Sequence, residues 1–378
     1  MKKNTVLRLV EKMEQLNTKR TAEIHAMIGF DGFVDEVVHV VKKRIDAKTY
    51  IREETLTDYG NRIANTAGYS SNVEIVSLSK KLGGNGPILT NSLNNLGVKT
   101  NYCGAVGYPN IHPVFEEMAK NCECILPISD PASTDAVEFN DGKIIRSKLS
   151  AFNGLHFESL KKKVGLGKLI TLLDRCNLIC FVNWTLVPYS GQIWQGILDE
   201  AVSKLSVDTK DKILFFDLAD PASRTKDDLK AALETIRSYG RYFRVVLGMN
   251  LSEAVQVAAA IGCDMEKSEK NLQALCDVIE SYMQIDTVVI HPVKQACAIC
   301  KGEYCYIEGP YCEKPKLTTG AGDNFNAGFV LGKALGLALG ESLALGAANS
   351  GFYVRNSRSG NHDEILTFLK RWVQGKIV

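Results

Sequence analysis

Four consecutive residues near the C-terminal end combine backbone freedom with a carboxylate: Gly320, Ala321, Gly322 and Asp323. Glycine adopts conformations closed to other residues, so this run predicts a tight turn whose N–H groups converge on one point. A helix beginning at about Asp323 would direct its positive end there as well. Such a turn suits the negative charge of a transferring phosphoryl group, and Asp323 is placed to accept a proton from an attacking hydroxyl. The alternative is an ordinary helix start with Asp323 as its N-cap.

A second glycine-rich run lies at residues 82–97, where a loop leads into a helical pattern that ends at Gly97. Because Gly83 and Gly84 carry no side chains, the backbone of this loop can come close to a ligand. The alternative is a flexible entry to a helix.

Two carboxylates follow the first apolar run of the chain. Residues 24–29 predict a strand, and Asp31 and Asp35 come shortly after it. Carboxylates at the end of a buried strand can accept hydrogen bonds from hydroxyl groups of a ligand. The alternative is that both are ordinary turn residues.

From about residue 169 the chain alternates between short apolar runs and helical patterns. The predicted strands are 178–182, 213–216, 243–247 and 287–290. The predicted helices are 191–205, 226–238, 251–261 and 270–283. This alternation indicates an α/β fold with a parallel sheet covered on both faces and a ligand site at the carboxyl ends of its strands.

The run from Leu317 to Gly328 is similar to the C-terminal signature of the ribokinase-like (PfkB) carbohydrate kinases, Asp-Thr-Thr-Gly-Ala-Gly-Asp followed by a helix of small residues. The resemblance extends from about residue 24 to about residue 369. It implies a single ribokinase-like domain over residues 1–378, with a central mostly parallel sheet, helices on both faces and a small β lid. It also implies that the backbone of the Gly-Ala-Gly turn is an anion hole and that Asp323 is the catalytic base.

The glycine-rich loop resembles the N-terminal signature of the same family. This resemblance assigns three residues to the sugar: Gly83, Gly84 and Asn85. In the family, a sugar-binding Asp follows the glycine at the end of the first strand by about five residues. Asp35 lies six residues after Gly29, so it fits with an offset of one, and Asp31 remains the alternative.

The segment Asn250-Leu251-Ser252-Glu253 resembles the Asn-x-x-Glu motif that the family associates with magnesium and phosphate positioning. Mg²⁺ prefers oxygen ligands and keeps several waters, so Asn250 and Glu253 can hold it through its hydration shell. The alternative is a capping box, in which Asn250 is the N-cap and the side chain of Glu253 bonds back to the N-cap backbone. The resemblance also places Thr318, Thr319 and Asn250 beside the nucleotide, and it implies ATP and Mg²⁺ as cofactors.

The sequence departs from the family pattern in two places and matches it loosely in a third. Leu317 replaces the Asp that binds a monovalent cation in some members, so such a cation is a doubtful cofactor. Residues 290–295 lack the usual glycine-rich turn, and His291 among them is interpreted as a loop or core residue. The resemblance of residues 220–224 to Asp-Pro-Asn-x-Arg makes Arg224 a candidate contact to an anionic substrate, or else a loop arginine paired with Asp220.

Two lid insertions are predicted, at about residues 36–60 and 128–150. The second contains a hairpin with an Asn140-Asp141-Gly142 turn. A lid would exclude the water that competes with the sugar for the phosphoryl group. Its exposed strand edges make a homodimer through the lid a further expectation.

Composition excludes several other classes. With 45 basic and 43 acidic residues, the net charge is +2 and no basic stripe suggests nucleic acid as a partner. The N-terminal residues place Val6, Leu9, Met13 and Leu16 on one helical face without the apolar core of a signal peptide. No apolar run approaches the ~20 residues of a membrane span, so a soluble cytoplasmic protein is expected.

Eleven cysteines without a signal peptide fit reduced thiols better than a disulfide framework. Cys297 and Cys300 have the spacing of a zinc knuckle. However, residues 296–300 and 304–308 predict hairpin strands, which would send these two thiols to opposite faces.

The sequence therefore predicts an ATP-dependent kinase that phosphorylates a hydroxyl of a sugar or sugar-like molecule. A nucleoside kinase of the same fold is one alternative. A sugar- or nucleotide-binding regulatory protein without turnover is another. A dinucleotide-dependent oxidoreductase would need a Gly-x-Gly-x-x-Gly turn after the first strand, and residues 29–34 do not supply it.

Overall fold

The structure is a computed structural model, and it describes residues 2–15 and 18–377. Leu16, predicted on the apolar face of the first helix, lies outside the described residues. Within them, no helix is long and apolar enough to cross a membrane.

Fourteen β-strands occur in the described part of the chain. They are β1 (His25–Phe30), β2 (Phe33–Arg44), β3 (Tyr50–Arg52), β4 (Ile75–Gly83), β5 (Lys99–Gly104), β6 (Cys124–Pro127), β7 (Ala132–Phe139), β8 (Gly142–Lys148), β9 (Leu178–Phe181), β10 (Ile213–Asp217), β11 (Arg244–Met249), β12 (Thr287–Ile290), β13 (Gln295–Cys300) and β14 (Glu303–Glu308).

The same residues form fourteen α-helices. They are α1 (Lys2–Gln15), α2 (Thr18–Thr21), α3 (Leu56–Ala64), α4 (Asn85–Asn95), α5 (Glu116–Asn121), α6 (Phe157–Val164), α7 (Leu166–Arg175), α8 (Ser190–Glu200), α9 (Lys226–Tyr239), α10 (Leu251–Ala260), α11 (Leu272–Met283), α12 (Ala321–Ala334), α13 (Leu339–Asn356) and α14 (His362–Val373).

The large sheet has nine strands in the order β14-β13-β12-β11-β10-β9-β1-β5-β6. The seven strands from β12 to β6 are parallel, and β13 and β14 form an antiparallel hairpin at one edge. Apolar side chains on the two sheet faces belong to separate cores, one packed under α6 to α11 and the other under α1, α4, α5 and α12 to α14. Strands such as β9 and β12 are buried at every position, which agrees with their nearly continuous apolar sequences. The predicted α/β architecture is confirmed.

A small sheet, formed by β2, β3, β4, β7 and β8, lies apart from the large one. Here β2 pairs in parallel with β7 and antiparallel with β4. A minor core beneath it contains Val38, Val40 and Val137, with the ring of Tyr59 stacked on Phe139. The small sheet extends beyond the predicted lid segments because β4 also belongs to it, and the helix α3 overlaps the end of the first predicted lid insertion.

Several local predictions agree with the structure. Asn140 and Asp141 form the turn between β7 and β8, and β13 pairs with β14 around Lys301 and Gly302. Cys297 is buried in one core, and Cys300 packs against the other, as alternation along a strand requires. All eleven cysteines are free thiols.

Candidate functional site

The helix α12 begins at the carboxyl edge of the large sheet and carries the Gly-Ala-Gly turn. Its N-cap is Gly320, with φ of +91°, and no side chain of the described residues caps its first turn, although the Ala321 N–H donates to the carbonyl of Thr318 over 3.1 Å. The helix begins at Ala321, two residues earlier than the sequence indicated. The amides of the Gly-Ala-Gly turn are therefore part of the helix N-terminus itself, where the positive end of the helix dipole is concentrated.

Four polar side chains that the sequence analysis did not select hold this turn in place. The Tyr353 hydroxyl donates to the carbonyl of Thr319 over 2.9 Å, and Asn324 Nδ2 donates to the carbonyl of Gly320 over 2.9 Å. Ser359 and Asn349 in turn hydrogen-bond to Asn324. Only glycine suits position 320, because its φ is positive and an added Cβ would lie 2.8 Å from the Tyr353 hydroxyl oxygen.

Asp323 lies in the first turn of α12 and is buried. Its Oδ1 accepts a hydrogen bond from Asn85 Nδ2 over 2.9 Å. Burial raises the pKa of Asp323 well above its usual range, and the neighbouring carboxyls of Asp217, Asp31 and Glu253 raise it further. A carboxylate with these surroundings is a stronger proton acceptor than an exposed one.

Asp31 is fully buried, and its oxygens are occupied by protein donors. Oδ2 accepts from the Asn85 backbone N–H at 2.9 Å and from Asn183 Nδ2 at 2.6 Å, and Oδ1 accepts from the Gly86 N–H at 2.9 Å. Burial raises the pKa of Asp31 to about 6 despite these bonds. Asp31 thus caps α4 and fixes the glycine-rich loop to the end of β1.

A cavity of about 250 Å³ lies between the small sheet and the start of α12, and we refer to it as the small-sheet cavity. Its lining consists of Phe33, Asp35, Lys81, Gly84, Asn85, Ile88, Thr134, Ala136, Lys143, Ile145, Ser147, Asn183, Leu186, Thr319, Gly320 and Asp323. Asp35 is part of this wall and Asp31 is not. Burial raises the pKa of Asp35, whereas Lys81, a Thr134 hydrogen bond and Lys143 lower it.

The predicted sugar-binding residues Asp35, Gly84 and Asn85 thus line the same cavity as Asp323, whereas Gly83 is not part of the lining. A side chain at Gly83 would collide with the Asp35 carboxyl, so this glycine gives Asp35 its space. The two lysines of the wall, Lys81 and Lys143, come from β4 and β8 and were not predicted. No local motif marks them, since their position depends on how the small sheet folds over the turn.

A second cavity, of about 320 Å³, lies on the other side of the turn, and we refer to it as the β12 cavity. Its lining consists of Asn250, His291, Pro292, Val293, Gln295, Ala296, Gly309, Pro310, Tyr311, Cys312, Pro315, Thr318, Ala321, Gly322, Phe325, Ala347, Ser350, Gly351 and Val354. Of the residues predicted beside the nucleotide, Thr318 and Asn250 line this cavity, whereas Thr319 lines the small-sheet cavity.

Asn250 and Glu253 form a capping box at the start of α10. Asn250 Oδ1 accepts from the N–H groups of Ser252 and Glu253, while Glu253 accepts from the backbone N–H and the side-chain amide of Asn250. Burial and the nearby Asp217 raise the pKa of Glu253. Residues 2–15 and 18–377 contain no group of three or more His, Cys, Asp or Glu side chains arranged to hold a metal directly. The group of buried carboxyls formed by Asp217, Glu253 and Asp323 nevertheless fits a cation held through water.

Arg224 lies outside the lining of both cavities. Its guanidinium donates to the carbonyls of Trp184, Thr185, Val187 and Pro188 and stacks on the Trp184 ring. It therefore holds the loop after β9, which carries Leu186 to the wall of the small-sheet cavity. Asp220 instead caps Ala222 and accepts from Gln256.

Comparisons with known proteins agree with this architecture. A family model described as prokaryotic ketohexokinase matches residues 2–372. A ketohexokinase from Haloferax volcanii is 27% identical over 369 residues, which cover 96% of each chain. Arabidopsis thaliana ribokinase complexed with ribose and ATP has a TM-score of 0.63 at 14% identity, with 92% of this chain and 98% of that chain covered. A putative ribokinase II from E. coli, in complex with ATP and Mg²⁺, has a TM-score of 0.62 at 13% identity, with 92% and 99% covered.

The two structures share the fold with this chain, and the family model matches nearly all of its sequence. The resemblance read from the Gly-Ala-Gly-Asp turn and the glycine-rich loop is thereby confirmed. The chain belongs to the prokaryotic ketohexokinase family and is a carbohydrate kinase.

Proposed function

We propose that this kinase transfers the γ-phosphoryl group of ATP to a hydroxyl of a ketohexose. The family match and the name of the Haloferax relative support this substrate class. The observation that carries the proposal is the arrangement of the two cavities around one turn. Thr319, Gly320 and Asp323 face the small-sheet cavity, while Ala321 and Gly322 face the β12 cavity.

In this arrangement the sugar occupies the small-sheet cavity and the nucleotide occupies the β12 cavity. The acceptor hydroxyl then lies beside Asp323, and the terminal phosphate lies at the amides of Gly320 to Gly322. Asp323 accepts the hydroxyl proton as the sugar oxygen forms its bond to phosphorus and the bond to the leaving ADP oxygen breaks. The uncapped amides of α12 stabilise the charge on the transferring group.

Magnesium is assigned to the polar edge beside Asn250, where the buried carboxyls of Glu253 and Asp217 lie close together. The ion supplies charge neutralisation of the triphosphate when it is bound. Glu253 is already engaged by Asn250, so its role is to hold that amide and to contribute charge to the water shell of the ion.

Asp35 is assigned to the sugar hydroxyls, because its carboxyl lines the cavity. The carboxyl of Asp31 instead accepts hydrogen bonds from the first amides of α4. Phe33 is the one aromatic side chain in the described lining of this cavity. A nucleoside would need an aromatic surface on which to stack its base, so this wall favours a sugar. The small sheet is assigned the role of a lid that shields the reacting groups from water and pairs with a second copy.

The test is ADP release with a panel of ketohexoses, aldohexoses, sugar acids and nucleosides at fixed ATP and Mg²⁺. We expect turnover with at least one ketohexose at a kcat/KM well above that of the matching aldohexose. A higher kcat/KM with a nucleoside would support the nucleoside kinase alternative. Sugar binding without turnover across the panel would support the regulatory alternative.

A further inference from the structure

The segment between β14 and α12 forms one side of the β12 cavity, and we refer to its residues 309–318 as the connecting loop. These residues form neither helix nor strand, and none of them is fully buried. Those that line the β12 cavity are Gly309, Pro310, Tyr311, Cys312, Pro315 and Thr318. The chain then continues directly into the Gly-Ala-Gly turn. A surface segment without regular structure depends on contacts from neighbouring elements to keep one position.

The C-terminal part of α13 supplies such contacts. The Lys316 N–H donates to the carbonyl of Val354 over 2.8 Å. Gly351 lies against Pro310, since a Cβ added at position 351 would stand 2.5 Å from the Pro310 Cγ atom. The same part of α13 carries Tyr353, whose hydroxyl holds the carbonyl just before the Gly-Ala-Gly turn. One helix end therefore contacts both the wall of the β12 cavity and the turn that follows it.

Arg355 makes the contact to the cavity wall. Its Nη1 donates to the carbonyls of Pro310 and Gly351, each over 3.0 Å, and its Nη2 donates to the carbonyl of Tyr311 over 2.8 Å. The guanidinium carbon lies 5.7 Å from the centroid of the Phe368 ring. A planar guanidinium can reach several carbonyls at once, which a single ammonium group does less well. Two consecutive wall residues are thus joined to the backbone of α13 by one side chain.

We propose that Arg355 is a positioning residue for the nucleotide, which it serves by fixing the wall at Pro310 and Tyr311 relative to the Gly-Ala-Gly turn. The proposal rests on the proposed function, which assigns the β12 cavity to the nucleotide. Arg355 is not part of the lining of that cavity, so it acts through the wall. The turn keeps its own hydrogen bonds from Tyr353 and Asn324 when Arg355 is changed. The effect therefore falls on nucleotide binding and not on phosphoryl transfer.

The experiment uses Arg355→Met, which removes the guanidinium and keeps an apolar chain. Steady-state ADP release gives kcat and the two KM values, and calorimetry gives the dissociation constant of ATP without sugar. We expect the KM and the dissociation constant of ATP to rise roughly three- to thirtyfold, the scale of one or two lost hydrogen bonds. The KM of the sugar and kcat are expected to stay close to the wild-type values. A purely structural role would lower the melting temperature and the active fraction without weakening ATP binding by the folded protein.

Two further variants separate positioning from general stability. Arg355→Lys can restore only part of the contact to the wall, so its dissociation constant for ATP is expected to lie between those of the wild type and Arg355→Met. Arg358→Met is the matched control. Arg358 follows α13 directly, pairs with Glu364, stacks on Phe352 and lines neither cavity. Its loss is expected to leave the dissociation constant of ATP unchanged.

The inference is overturned if Arg355→Met binds ATP as tightly as the wild type, or if the KM of the sugar rises as much as that of ATP. An equal loss of ATP affinity in Arg358→Met would also overturn it. Absence of turnover with every sugar would instead contradict the proposed function. In that case the calorimetric titrations with ATP still test the role of Arg355.

Discussion

The N-termini of α10 and α12 both face the same edge of the sheet, but only α10 is capped by side chains. At α10, the Asn250 side chain and Glu253 satisfy the first-turn donors in a capping box. At α12, Gly320 stands at the N-cap position without any side chain, and none of the described side chains replaces it. A capped helix start is closed to ligands, whereas the start of α12 keeps N–H groups available for an anion, apart from that of Ala321, which donates to the Thr318 carbonyl. This difference supports the proposal that the α12 terminus takes part in phosphoryl transfer, while the α10 terminus is stabilised by its own cap.

A third terminus, that of α4, shows that a glycine N-cap alone does not make an open site. Gly84 is the N-cap there and supplies no side chain, but the Asp31 carboxyl reaches across from the end of β1 and accepts from the first two amides. The α4 terminus is thus closed by a residue more than fifty positions away. Which terminus remains open is a property of the tertiary structure.

The largest expected effect concerns the carboxylate beside the open terminus. Asp323→Asn removes the proton acceptor while preserving size, so kcat is expected to fall by about 10²–10⁴-fold. The measurement is steady-state ADP release at saturating sugar and ATP. Asp31→Asn is the comparison variant: it is expected to lower the melting temperature by loosening α4 and to reduce kcat far less than Asp323→Asn does.

The next effect concerns the turn itself. Gly320→Ala would place a Cβ 2.8 Å from the Tyr353 hydroxyl at a φ of +91°, so the amides would shift, and kcat is expected to fall about 10²–10³-fold. Gly336→Ala is the matched control, because Gly336 has a φ of +71° with open space around it. Equal losses in both variants would mean that backbone strain alone, and not the geometry of the turn, limits the rate.

A smaller effect is expected at the capped terminus. Asn250→Ala removes the cap of α10 and is expected to lower the free energy of unfolding by about 1 kcal/mol, whereas Asn250→Ser keeps a capping oxygen and loses less. Chemical denaturation measures both. If Asn250→Ser is as stable as the wild type but has a raised KM for ATP, Asn250 contacts the nucleotide in addition to capping the helix.

The smallest effect is a shift in pH dependence. Asp323 must be ionised to accept a proton, and its pKa is raised by burial and by Asp217, so kcat/KM is expected to fall as the pH drops through that raised pKa. Asp217→Asn removes neighbouring negative charge and should move this acid limb to lower pH. The exposed Asp363→Asn variant should leave the limb in place, and an unmoved limb in Asp217→Asn would show that another group controls it.

These comparisons also show what a sequence can predict. The glycines at positions 320 and 322 predicted a tight turn, and the capping box at Asn250, whose atoms lie within three residues, was the alternative to a magnesium motif. The distant side chains that hold the turn, such as Tyr353, were not predicted. The short, continuous apolar runs of the strands likewise predicted a parallel sheet covered on both faces. The Asn85 to Asp323 hydrogen bond joins residues 238 positions apart, and the two wall lysines come from separate strands of the small sheet. No local pattern encodes such contacts.

The resemblance placed Arg224 near an anionic substrate, but the structure gives its guanidinium four backbone carbonyls instead. Binding to loop carbonyls and binding to an anionic ligand use the same planar guanidinium donors, so the sequence alone does not distinguish the two roles. The same holds for Asp31 and Asp35. Both follow β1, yet one closes a helix and the other faces a cavity.

The most direct test of the two-cavity arrangement is a crystal structure with a ketohexose and a non-hydrolysable ATP analogue bound together. We expect the sugar beside Asp35 with one hydroxyl about 2.6–3.2 Å from the Asp323 carboxylate. We expect the terminal phosphate of the analogue at the amides of Gly320 to Gly322. A sugar hydroxyl remote from Asp323, or a terminal phosphate away from this turn, would contradict the account.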